Sequence, residues 1–228
     1  PRLEQTQLLP QFWAAKGSVS GELNNLFFSG RLSNAAELSV QYNGRWKNQT
    51  LTSDWSLEPL FFLASNPLKK TFTLWPEQLT FSSGQLALKG KVKFNAKTLK
   101  DPLAALSGTI NAEMKQVSGI YQQTAFSQIS LLADVNLSNK QLKVTLPTLN
   151  ITQINHGLFA GPIQMAAQYQ GTITTPFKGI LKIESLQSGL FNGQAWLEPQ
   201  TIDLSKVFNI QLHLKDVEIE ELLKQHPT

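Results

Sequence analysis

Alternation is the feature that most limits what this chain can become. In QLALKGKVKF, Leu86, Leu88, Val92 and Phe94 fall on one side of an extended backbone, and Lys89, Lys91 and Lys93 fall on the other. ISLLADVNL places Ile129, Leu131, Ala133, Val135 and Leu137 together, and QLKVTL does the same with Leu142, Val144 and Leu146. From Phe159 to Ile173 the odd positions read Phe, Gly, Ile, Met, Ala, Tyr, Gly, Ile, while the even positions are mostly Gln, Ala and Thr. A period of two is the mark of a strand with one buried face, so the expected fold is mainly β.

Turn signals separate these runs: Asn43-Gly44, Ser83-Gly84, Ser138-Asn139 and Thr175-Pro176. Connections this short join antiparallel neighbours, because parallel strands need a long crossover. The pattern predicts roughly twelve to fourteen strands, at the usual strand and turn lengths, in a single elongated domain over 1–228. Irregular insertions are expected at 53–68 and 95–104. One helix is expected over 217–226. Asp216 stands as its N-cap, Glu218, Glu220 and Glu221 occupy its first turns, and Pro227 stops it.

A short motif occurs twice. GLFAG at Gly157–Gly161 returns as GLFNG at Gly189–Gly193, an offset of 32 residues. The expected unit is a hairpin. Gly157 and Gly189 supply positive φ at the turn, and Phe159 and Phe191 start the apolar face of the returning strand. Gly161 and Gly193 leave room on that face for a bulge or a close approach.

Chemistry is sparse. The three histidines, His156, His213 and His226, lack metal-ligand spacing, and no H-E-x-x-H or phosphate-binding glycine loop is present. With no cysteine there is neither a disulfide framework nor a thiol nucleophile. The expectation is a protein that is not an enzyme and uses no cofactor or metal. A net charge of +4 is mild, and the one dense basic run, Lys89 to Lys100, reads as a solvated strand face that also discourages edge aggregation. No nucleic acid partner is expected. Charged residues make up 16% of the chain, below the usual quarter or so, with Gln, Asn, Ser and Thr in their place. That profile leans towards an exported or envelope protein.

The last forty residues, GLFNGQAWLEPQTIDLSKVFNIQLHLKDVEIEELLKQHP, resemble the C-terminal part of the YdbH-like proteins of Gram-negative bacteria, which belong with the AsmA-like and TamB-like envelope proteins. The carrying elements are the hairpin at Gly189–Gly193, the strand at Val207–Leu214 and the amphipathic segment Val217–Pro227. The resemblance implies a fragment of a longer, periplasmic chain whose parent is anchored in the inner membrane. It also implies a sheet curled into an open groove along which phospholipid moves between inner and outer membranes. A small outer-membrane lipoprotein extending the sheet is the implied partner.

The reading is therefore a long, twisted antiparallel sheet curled into an apolar groove, with a short C-terminal α-helix. Leu86, Leu88, Val92, Phe94, Ile129, Leu131, Val135, Leu142, Val144, Phe159, Ile163, Met165 and Phe191 are the expected lining. Thirteen strands at ~4.8 Å would make a track about 60 Å long. The alternatives are an ordinary sandwich core and a carbohydrate-binding or adhesin-type module of parallel coils, using Trp13, Trp46, Trp55, Trp75 and Trp196.

Overall fold

The computed structural model describes residues 12–63, 66–73, 75–98, 101–218 and 220. One sheet holds fourteen strands. They are β1 (Trp13–Glu22), β2 (Asn25–Asn34), β3 (Ser39–Lys47), β4 (Thr50–Phe61), β5 (Leu79–Asn95), β6 (Leu106–Tyr121) and β7 (Thr124–Ser138). There follow β8 (Gln141–Ile151), β9 (Gln153–Asn155), β10 (Phe159–Thr172), β11 (Thr175–Leu190), β12 (Gly193–Leu197), β13 (Gln200–Asp203) and β14 (Leu212–Lys215). A 3-10 turn (Ala96–Thr98) and a short helix, α1 (Pro102–Ala105), interrupt the chain between β5 and β6, overlapping the break expected at 95–104 and running one residue past it.

Nearly every strand pairs antiparallel with its sequence neighbour, in the order β1 to β8, then β10, β11, β12 and β14. The short β9 bridges β10 and β7, and β13 pairs with β11. Neither the two-sheet sandwich nor the parallel coils fit this pairing. The helix expected over 217–226 lies almost wholly outside the described residues.

Two expectations about local structure are corrected. Residues 53–61 belong to β4, so the irregular stretch after it starts at Phe62 rather than at Ser53. Asn43-Gly44 lies inside β3, and Ser83-Gly84 inside β5 as a bulge rather than a turn. The hairpin turns at positive φ fall on Asn48-Gln49, Gln122, Asn139-Lys140 and Phe191-Asn192, and of these only Asn139 belongs to an expected turn pair, Ser138-Asn139. Positive φ at both central residues matches the right-handed twist of the flanking strands.

The long central strands are creased at one level. Gly84 in β5 (φ 106°), Gln116 in β6 (φ 50°), Gln128 in β7 (φ 52°) and Gly161 in β10 (φ 140°) each sit at a break in register. These bulges are linked across the sheet. The Gln116 N–H donates to Ser130 Oγ (3.1 Å), the Gln128 N–H to Ser118 Oγ (3.0 Å), and Thr152 Oγ1 to Gln128 Oε1 (3.0 Å). Bulges bend a strand and increase its twist, so an aligned row of them folds one margin of the sheet over.

The described part of 62–78 lies at that margin. Phe62 and Val117 are fully buried there beside Leu38, Leu57 and Leu60. Phe62 meets Phe81 at 4.6 Å between centroids, and Phe81 stacks edge-on against Trp75 and Phe126. A buried hydrogen bond ties the segment to the β2–β3 corner: Asn34 Nδ2 donates to Thr71 Oγ1 at 2.8 Å. Asn34 Oδ1 in turn accepts from the N–H groups of Ala36 and Leu38, so the amide is used on both sides.

Candidate functional site: one continuous apolar face

Residues directly paired in antiparallel strands point to the same face, so the register shows what each face carries. One row runs Leu60, Leu86, Met114, Leu131, Leu149, Met165, Leu186, Leu197, Leu212. Nine strands contribute and no polar side chain interrupts it. At ~4.8 Å per step this row is about 38 Å long. A parallel row reads Tyr42, Trp55, Gly90, Ile110, Val135, Val144, Tyr169, Leu181, Ile202.

The other face is polar. It carries Arg31 paired to Glu58 (2.5 Å), Lys91 paired to Asp54 (3.2 Å), and Gln187 donating to Gln164 (2.5 Å). Burial separates the faces. In β7, Leu131, Ala133, Val135 and Leu137 are half-buried while Leu132, Asp134, Asn136 and Ser138 are exposed.

Large aromatic rings on the apolar face lie across glycines of the adjoining strand. A Cβ added to Gly44 would collide with the Phe28 ring, and one added to Gly90 would sit 2.8 Å from Trp55 Cζ2. Rings placed over glycines in this way fill the space that a side chain on the adjoining strand would take. Sequence reasoning missed this device. Its signal is a glycine and an aromatic in register on neighbouring strands, and that is visible only once the pairing is known.

Eleven of the expected lining residues share the apolar face. Leu86, Leu88, Val92 and Phe94 come from β5, Ile129, Leu131 and Val135 from β7, Leu142 and Val144 from β8, and Ile163 and Met165 from β10. Phe159 and Phe191 do not join them. Phe159 pairs with Asn155 and is 44% exposed, while its neighbour Ala160 pairs with Ile154 and Leu190 on the apolar side. The bulge at Gly161 is the reason: one extra residue between Ala160 and Ile163 shifts the alternation, so the odd positions before it face out. Phe191 is a turn residue with φ 47°.

The two motif copies are therefore not one unit used twice. Gly157 does turn the chain with φ 77°, but Gly189 is extended within β11, and the turn after it falls on Phe191-Asn192. What the copies share is contact. A Cβ on Gly189 would collide with the Gly161 carbonyl, and both motifs line one depression of about 520 Å³. Gly193 starts β12, where a side chain would strike the Lys215 carbonyl at 2.5 Å.

Two carboxylates outside the apolar face are shifted. Lys140, then the Ala104 N–H, hold Asp101 below its usual range at the start of α1. The Ser205 hydroxyl, then Lys206, then the Ser205 N–H lower Asp203 to about 2. Both caps shape turns and lie away from the apolar rows. Among the described residues no three of His, Asp and Glu come together as a metal site, and no helix is long and apolar enough to cross a membrane.

A single antiparallel sheet whose one face is apolar across nine strands defines a protein built around a long hydrophobic surface. A family model described as YdbH-like, intermembrane phospholipid transport protein YdbH, matches residues 2–228, and the chain belongs to that family. The family is one of intermembrane phospholipid transport. No curated protein and no solved structure matches the chain.

Proposed function

We propose that this chain carries phospholipids between the inner and outer membranes as part of a periplasmic bridge. Its apolar face curls into a groove that holds acyl chains while the polar head stays in water. The observation that carries this reading is the unbroken nine-residue row from Leu60 to Leu212, whose middle members Leu131, Leu149, Met165 and Leu186 are only half-buried. Soluble proteins rarely leave contiguous apolar patches above a few hundred Å² without a binding role.

The energetics support such a surface as a lipid carrier. Two acyl chains expose on the order of thirty methylenes, and transferring them at ~0.8 kcal/mol each contributes about 25 kcal/mol. A lining with no polar side chain in its central row offsets that exposure at every position, so a lipid can shift along it without losing a specific partner. The aromatic rings over Gly44 and Gly90 add apolar surface without a polar partner, which supports sliding for the same reason. A small lipoprotein adding a strand to an open edge would lengthen the track.

The test is mass spectrometry of lipids extracted from the purified protein. Phospholipid is expected with the native chain and is expected to be lost from Val144→Asp, which places a charge in the middle of the face. A native protein that retains no lipid, where a known lipid carrier treated alike retains its own, overturns the proposal.

A further inference from the structure

The polar face is not featureless. Two adjoining depressions, of about 690 and 680 Å³, indent it across β1 to β6 and share Ser29, Asn43, Asp54, Lys91 and Thr109. Six strands at ~4.8 Å make the trench about 24 Å long. Its cations are Arg45, Lys89, Lys91 and Lys93, against the single carboxylate of Asp54. Lys91 is matched to Asp54 at 3.2 Å, whereas Arg45, Lys89 and Lys93 form no ion pair among the described residues. Arg45 instead lies over the Phe27 ring at 4.9 Å and donates to Asn25 Oδ1 at 2.6 Å, which holds the guanidinium in place.

We propose that this trench binds an anionic glycan, a chain of sugars bearing carboxylates. The site is additional to the lipid track and does not depend on it. Its length suits an extended oligomer rather than a small ion. The hydroxyls and amides that line it both donate and accept hydrogen bonds, as sugar hydroxyls do. Phe27 stays 45% exposed with Arg45 over its ring, which leaves apolar ring surface at the trench for a sugar to pack against. Excess positive charge matches the carboxylates, and binding weakens as salt rises. A protein acting across an envelope would gain an anchor on its outer face without obstructing its apolar one.

Titration calorimetry with oligogalacturonate tests the idea on the 228-residue chain, with neutral maltoheptaose and a single-stranded oligonucleotide as comparators. The proposal expects saturable, salt-sensitive binding of oligogalacturonate and none of maltoheptaose. Lys93→Gln combined with Arg45→Gln is expected to weaken binding about tenfold or more, which corresponds to ~1.4 kcal/mol. Lys93→Gln alone changes an exposed side chain, so it keeps the test valid if the double variant misfolds. Lys143→Gln with Lys182→Gln, outside the trench, is expected to leave binding unchanged. No binding, equal losses from both pairs, or an oligonucleotide bound as tightly as the glycan would each overturn it.

Discussion

A single extra residue at Gly161 sends Phe159 outward and Ala160 inward. The same position in the sequence pattern therefore has opposite worth on the two sides of the bulge. Phe62→Ala, at a residue 1% exposed, is expected to cost about 3–5 kcal/mol in unfolding free energy. Phe159→Ala is expected to change stability by less than about 1 kcal/mol. Denaturant melts of the two variants check the contrast, and equal losses would put Phe159 back in the core. Asp203 offers a residue-scale pH test. Its carboxyl sits at about 2, held by the Ser205 hydroxyl first and Lys206 second. A depressed carboxylate contributes stability above its unfolded value of ~3.9, and that contribution is lost as pH falls through the folded value. Carboxyl NMR is expected to give a midpoint near 2, and Ser205→Ala is expected to raise it.

Elements in this chain are governed by alternation, and alternation was legible. Eleven of the thirteen residues expected to line a groove fall on one face, as parity alone predicts, because the runs around Leu86, Leu131 and Val144 contain no interruption. Legibility failed where backbone conformation depends on a neighbour. Gln116 and Gln128 form bulges at positive φ with no glycine to announce them, and serine hydroxyls on the adjoining strands satisfy their N–H groups. Asn43-Gly44 reads as a turn, yet Gly44 stays in β3 because the Phe28 ring occupies the space of its side chain. The segment after β4 was likewise opaque, since its anchor, Asn34 to Thr71, spans 37 residues. That anchor is testable. Thr71→Val removes the hydroxyl and leaves a buried amide without its partner, at a cost of about 1–3 kcal/mol. A calorimetric melt should show the loss, and hydrogen exchange should rise first around Leu38 and Leu68, which pack on that cluster. Uniform exchange across the sheet would show that the segment is not a separate anchor.

At the scale of the whole molecule, the two faces of one sheet carry different chemistry, and the tryptophans report on both. Trp55 lies on the apolar face, paired with Tyr42 and Gly90, while Trp196 lies on the polar face, stacked on His213 at 5.2 Å. Variants that retain only one of these two, with the remaining tryptophans changed to phenylalanine, separate the faces within the same fold. Loading each with phospholipid brominated along its acyl chains and reading the fluorescence measures where the chains lie. The account predicts strong quenching of Trp55 and little of Trp196. Equal quenching of the two, or quenching of Trp196 alone, would contradict the claim that the apolar face carries the lipid.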